Sequence, residues 1–333
     1  MRITREALLK LAQDTANQRA RADLGILAVY LHGSLLDEEP LLGGTADIDL
    51  FFVHNDEPAF EREIVRITDE VHLDIAHHPR KLYRQARELR MHPWLGPVLY
   101  GCKILYDPQH FLDFTQASVR GQFYRPDQVL GRIRPQVESA RQMWLSLTSA
   151  KDSPGIETVS LYFRAVGLVA NAIAGLSGKP LTERRFLMGF PKRAEAVGHP
   201  GLYAGLLGLL GGPMVDAPAV RAWLPGWRLA VETLPGDKTP PRLSPPRIPY
   251  YLRAFEVILD SDQPLGVLWP LLHTWTKAVG LLPEDSRAHG AWKDAITRLG
   301  LLGKAFTERE AALDAYLDQV EELLEAWARE NGA

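Results

Sequence analysis

A single cysteine, Cys102, in 333 residues has nothing to pair with inside the chain. That excludes a disulfide framework and fits a reducing compartment, with Cys102 expected to serve as a small buried apolar side chain. Excess charge is also absent. The 38 basic and 41 acidic residues leave a formal net charge of -3, so no global basic field draws the protein to duplex DNA or to an anionic membrane. No apolar run approaches the ~20 residues of a membrane span. The N-terminal stretch "MRITREALLKLAQDT" reads as an amphipathic helix with charges throughout, lacking the apolar core of a signal peptide. A soluble, cytoplasmic protein is expected. One absence is local: residues 24–61 contain no lysine or arginine.

The hydrophobic fraction of 46% is ample for real cores in a chain long enough for two or three domains. The first third alternates between helical and strand periods. A helix over about 4–22 leads into the strand "GILAVYLHG", then a Gly-rich connection, the strand "DIDLFFV", and a helix over "PAFEREIVRITDE". "VHLDIAH" is a third strand, "RKLYRQARELR" a helix, and "CKILYD" a short fourth strand. Beyond residue 110 the pattern turns helical, through "PDQVLGRIRPQVESARQMWLSL", "GIETVSLYFRAVGLVANAIAGL" and "TERRFLMGFPKRAEAVG". Residues 235–249, "PGDKTPPRLSPPRIP", hold six prolines in fifteen positions and are expected to form a semi-rigid linker or an ordered extended loop. In the final helix Thr307 and Glu310 make a T-x-x-E capping box, and Leu313, Leu317, Val320, Leu324 and Trp327 form one packing stripe. The fold class expected is α+β: an α/β domain on a small mixed sheet over 1–110, then helices over 111–234, the Pro-rich segment 235–249, and a C-terminal helical subdomain over 250–333.

Two aspartates interrupt the second apolar strand. Positions i and i+2 of a strand share a face, so Asp47 and Asp49 project together while Ile48 and Leu50 point the other way. Burying two unpaired carboxylates costs several kcal/mol. Because residues 24–61 supply no cation, either a divalent metal or a basic group from elsewhere in the fold must sit there. Asp74 breaks the third strand in the same manner, and three acidic oxygens around one point suit Mg²⁺ better than zinc. Gly33 and Ser34 close the first strand; glycine permits close approach of a ligand, and serine offers an N–H and a hydroxyl to phosphate oxygens.

This order, "HGS", then "DID" on the next strand, then a lone aspartate on the third, resembles the nucleotidyltransferase fold of the DNA polymerase beta superfamily. "GCKILYD", residues 101–107, is similar to the short strand that ends its minimal bacterial members. The resemblance covers residues 1–110, and the helical remainder loosely resembles the C-terminal domains of aminoglycoside nucleotidyltransferases. It implies two Mg²⁺ ions on Asp47, Asp49 and Asp74, with Asp47 and Asp49 bridging both. It further implies Gly33 and Ser34 on the β- and γ-phosphates of ATP or another nucleoside triphosphate, and in-line transfer of a nucleoside monophosphate to a hydroxyl. Asp74 is the first candidate for the base, another carboxylate the alternative. The chain departs from the pattern in its twelve-residue spacer 35–46, "LLDEEPLLGGTA", which is long and acidic where relatives often carry a cation, and in Ala46 where serine is usual.

The expected acceptor is a small molecule such as an aminoglycoside-like antibiotic. The alternatives are a protein- or RNA-modifying enzyme of a toxin–antitoxin type, a catalytically degenerate nucleotide-binding protein, and a set of purely structural salt-bridge acids. Arg164, Lys179, Arg184, Arg185, Lys192 and Arg193 are candidates for replacing the missing spacer cations, against the plainer reading as solvated helix faces. Tyr162, Phe163, Phe186 and Trp144 are candidates for stacking on a base but are expected to be core. His32, His72, His77 and His78 lack zinc spacing and are expected at strand ends or behind the metal-holding carboxylates.

Overall fold

A computed structural model describes residues 3–150, 153–236 and 239–333. It is an α+β protein, a five-stranded mixed sheet followed by a mostly helical region. Helix α1 (Arg5–Ala22) is followed by β1 (Ile26–His32), β2 (Ala46–His54), β3 (Arg62–Arg66) and β4 (Val71–Pro79). Then come α2 (Ala86–Met91), α3 (Leu95–Gly101), β5 (Lys103–Tyr106), α4 (Phe111–Arg120), α5 (Pro126–Ser149), α6 (Ile156–Ser177) and α7 (Phe186–Ala196). The remaining helices are α8 (Gly201–Leu209), α9 (Ala217–Arg221), α10 (Leu224–Glu232), α11 (Ile248–Leu259), α12 (Leu268–Val279), α13 (Ala288–Arg298) and α14 (Phe306–Asn331).

The chain divides into two compact units, Met1–Gln128 with Pro240–Ala254, and Val129–Thr239 with Phe255–Ala333. This grouping differs from the four consecutive segments expected from sequence. The helices before the Pro-rich segment and the chain from Phe255 onward group in the second unit, while residues 240–254, the end of the segment and the first half of α11, belong with the sheet. Pro-rich composition marks where helices stop, and it is silent on which surface the segment covers.

In the first unit the strand order is β3-β4-β2-β1-β5, with β2 and β4 parallel and the other pairs antiparallel. Alternation gives the sheet two apolar faces. One face carries Leu31, Ile48, Leu50, Leu73 and Ile75 against Leu8, Ala12 and Ala16 of α1, whose spacing of four fits one helical stripe. The opposite face carries Ala28, Tyr30 and Val53 with Leu89, Leu99, Leu112 and Val119 from α2, α3 and α4. Cys102 lies in this second cluster as expected, accepting a bond from Gln116, and burial pushes its thiol up to about 12.

Three local expectations are corrected. The helix over "PAFEREIVRITDE" is instead β3, which zips onto the outer edge of β4 with Ile64 opposite Asp74. The side-chain oxygen of Thr68 accepts from the N–H groups of Glu70 and Val71 and closes the turn between them. Phe60, Ile64 and Ile67 have helical spacing, but pairing with an open sheet edge outweighs that weak propensity. "RKLYRQARELR" is split into a 3-10 turn, Arg80–Tyr83, and α2, because the Tyr83 hydroxyl is drawn inward to Tyr30 Oη (2.8 Å) and His78 Nδ1 (2.7 Å). The capping box does not form: α14 starts at Phe306 directly from a preceding 3-10 turn, leaving Thr307 inside its first turn. Leu313, Leu317, Val320 and Leu324 are buried as one stripe, with Trp327 half-buried beside them.

In the second unit Tyr162, Phe163 and Phe186 are core residues, the last stacked on Trp269 at 4.0 Å between ring centres. Helix α6 is long and apolar enough to cross a membrane, contrary to the expectation that no segment would be, and 61% of its most apolar window is buried within the protein.

Candidate metal site on the central strands

The parallel register of β2 and β4 places Asp49 directly opposite Asp74 and Asp47 opposite His72. All three carboxylates lie on the face away from α1, because Ile48, Leu50, Leu73 and Ile75 take the other. One ligand oxygen from each of Asp47, Asp49 and Asp74 lies within 4.8 Å of the others, making a group that could hold a metal ion. Asp47 and Asp74 are buried and Asp49 is partly exposed.

Gly33 completes the wall. It sits just past β1, whose His32 pairs with Asp49, and has φ 89° and ψ -166°, a region only glycine occupies readily. A Cβ there would overlap the Asp49 carboxylate. Ser34 starts a 3-10 turn, and its hydroxyl donates to the Pro40 carbonyl at 3.3 Å. Arg5 of α1 holds the same turn through the carbonyls of Leu35 and Leu36. The acidic side chains of the spacer, Asp37, Glu38 and Glu39, are exposed, and Gly43 and Gly44 turn the chain back at positive φ into β2.

The carboxylates are partnered by arginines. Arg247 bonds Asp47 through Nη2 and Asp74 through Nη1, the latter at 2.9 Å, and is only 4% exposed. Its guanidinium lies 4.5 Å from the Tyr250 ring centre and 5.8 Å from that of Tyr251, a cation–π arrangement. Arg62, on β3, bonds the other Asp74 oxygen at 2.5 Å. The cation therefore comes from elsewhere in the fold, the second of the two sources expected.

The electrostatics follow these contacts. Burial, then the charges of Asp74 and Asp47, push the Asp49 carboxyl up to about 7, against a weaker opposing pull from Arg247 and Arg62. Burial also acts on Asp74, but the Arg62 hydrogen bond and the Arg62 and Arg247 charges outweigh it and hold Asp74 below the usual carboxylate range. For Arg247, burial opposes the charge; Asp47, the two tyrosines and Asp74 outweigh it and raise its pKa well above that of a free arginine. His72, fully buried beside this cluster, is pulled down by burial.

Neither arginine stands out in the sequence: Arg62 lies in a stretch with helical spacing and Arg247 in the Pro-rich segment. The described part of that segment is ordered as two 3-10 turns, Pro241–Leu243 and Pro245–Arg247, running into α11; residues 237–238 of the expected linker lie outside the described residues. The prolines of "PPRLSPPRIP" mark a stiff segment with two arginines but do not say which surface it meets. The six cations proposed from the helical half all lie in the second unit. His77 meets His54 Nε2 at 2.9 Å and Glu63 at 3.2 Å, and His78 bonds Tyr83, so these histidines serve the sheet's own network.

The residues fit a hard divalent cation. The donor set is all oxygen, the Asp47 Oδ1 atom is buried without a hydrogen-bond partner, and Gly33 leaves the Asp49 carboxylate its place beside the other two, which a Cβ would take. No protein-family model and no curated protein matches this chain.

Proposed function

We propose that the protein is a divalent-metal-dependent nucleotidyltransferase that moves a nucleoside monophosphate, AMP from ATP, onto a hydroxyl of a small molecule. The observation that carries the reading is the convergence of Asp47, Asp49 and Asp74 from two neighbouring parallel strands, with the Gly33–Ser34 turn against Asp49. The resemblance of "HGS…DID…D" to the polymerase beta superfamily supports it.

Asp47, Asp49 and Asp74 hold Mg²⁺ in this reading. Bound there, Mg²⁺ neutralises triphosphate charge and lowers the pKa of an acceptor hydroxyl. The Ser34 N–H and hydroxyl would donate to oxygens of the outer phosphates at the end of β1, where Gly33 has no side chain to obstruct them. Asp74 is the candidate to take the acceptor proton, a role that the Arg62 and Arg247 charges oppose by holding its carboxyl below the usual range. Asp37, Glu38 and Glu39 are exposed, so solvent screens their repulsion at the phosphates. A cytoplasmic location accompanies the reading, in keeping with a free buried thiol at Cys102.

One observation favours a second reading. Arg247 supplies part of the charge a metal would otherwise supply, as expected of a degenerate family member that binds nucleotide or a partner without turnover.

The deciding experiment incubates the protein with labelled ATP, GTP, CTP and UTP, Mg²⁺, and a panel of aminoglycosides, lysate proteins and tRNA. A Mg²⁺-dependent labelled product that disappears in Asp49→Asn supports transfer and names the acceptor class. Absence of both product and Mg²⁺-dependent nucleotide binding at millimolar ATP overturns it.

A further inference from the structure

We propose that Arg247 is a tethered competitor for the metal site, so that a divalent cation binds only when the Pro240–Arg247 strap withdraws its guanidinium. The inference rests on the metal-site reading above and adds a regulatory device to it.

The first argument is position. Two nitrogens of one guanidinium already bond one oxygen each of Asp47 and Asp74, two of the three prospective ligands. A cation drawn to the same carboxylates must approach that guanidinium at close range. The second is charge. Three carboxylates, Arg62 and one divalent cation come to neutrality once the strap has withdrawn, whereas an inserted strap adds Arg247, and the charge of Arg242 felt at Asp74, to a pocket where Arg247 and Asp74 are nearly inaccessible to water. Burying uncompensated charge is far more costly than exchanging one cation for another.

The third argument concerns the strap itself. Its inserted state leaves buried polar atoms unmatched: Arg247 Nε, Ser244 Oγ and Asp47 Oδ1 have no hydrogen-bond partner. Such atoms carry a desolvation cost with no return, so insertion is opposed as well as favoured. The strap's backbone is held locally, by Leu243 N–H to Pro240 O (2.8 Å), Ser244 N–H to Pro241 O (3.3 Å) and Arg247 N–H to Ser244 O (2.9 Å). These single-turn bonds are shielded from water only while the strap is inserted with Leu243 buried, so its withdrawal exposes them to exchange.

The test measures Mn²⁺ binding by electron paramagnetic resonance in wild type and Arg247→Gln. If the arm is inserted in nine molecules of ten or more, removing the guanidinium tightens Mn²⁺ binding by about tenfold or more. Equal affinity in the two proteins overturns the competitor while leaving the metal site standing. No binding in either protein removes the metal site and the proposed function together. Should Arg247→Gln fail to fold, hydrogen exchange of wild type decides: Mn²⁺ binding is expected to speed exchange of the Leu243, Ser244 and Arg247 amides. Unchanged protection of these amides with Mn²⁺ bound overturns the proposal.

Discussion

Asp49 and Asp74 should respond to neutralisation with opposite signs in metal-free protein, although they face each other across β2 and β4. Asp74 is 3% exposed and takes Arg62 on one oxygen and Arg247 on the other. Removing one member of a buried ion pair costs ~3–5 kcal/mol. Arg62 is the more exposed of the two arginines and can return to water, so Asp74→Asn is expected at the low end, about 3 kcal/mol. Asp49 has no ion pair among the described residues and meets two like charges within 4.8 Å. At an effective dielectric of ~20, each such approach is worth roughly 3 kcal/mol before the nearby arginines offset part of it. Asp49→Asn removes this repulsion and leaves a partly buried amide, whose unmet bonds cost ~1–3 kcal/mol. The net expectation is an unchanged or slightly higher stability. The variants then differ by about 3 kcal/mol or more, roughly 6–12 °C in Tm. Calorimetric or denaturant unfolding in EDTA at pH 8 measures this directly. Adding Mg²⁺ should raise wild-type stability and raise neither variant comparably. If Asp49→Asn loses as much stability as Asp74→Asn, the charge account of the site is wrong.

Two further outcomes follow from single residues. Gly33→Ala puts a Cβ into the Asp49 carboxylate at a backbone geometry reserved for glycine; it should lose about 2–4 kcal/mol and weaken Mn²⁺ binding. A wild-type denaturation midpoint would show that the turn is free to move. His78, edge-on to Phe51 and bonded to Tyr83, is held by burial at about 4 instead of its usual 6.5. Its folded state resists protonation, so its contribution is intact above pH 6.5 and is lost as pH falls toward 4. That loss is on the order of 1–3 kcal/mol. Stability curves of wild type and His78→Asn across this window should converge at low pH, and parallel curves would remove His78 from the acid response.

The N-terminal frame was legible because local pattern and tertiary role agree there. The runs that became β1, β2 and β4 are apolar enough that any compact fold must bury them, and the period of two then dictates that Asp47 and Asp49 share a face. The missing cation in residues 24–61 was equally legible as a requirement, since paired buried carboxylates cannot stand alone. Element type failed where the signal was local and weak. In "EREIVR" helical spacing and strand alternation compete, and only the open edge of β4 decides between them.

The sequence by itself determined an α+β chain, a pair of same-face acids with a third on another strand, and the need for something positive beside them. It could not name that partner. Arg247 lies 200 residues from Asp47 along the chain, and sequence pattern carries no information about contacts at such separation. The tertiary structure decided that the Pro-rich segment returns to the sheet and that its arginine, with Arg62 from an unexpected strand, occupies the charge position a metal would compete for. The physical reason is that a charge requirement is set by local composition, whereas the identity of the group that meets it depends on which distant surface the fold brings into contact.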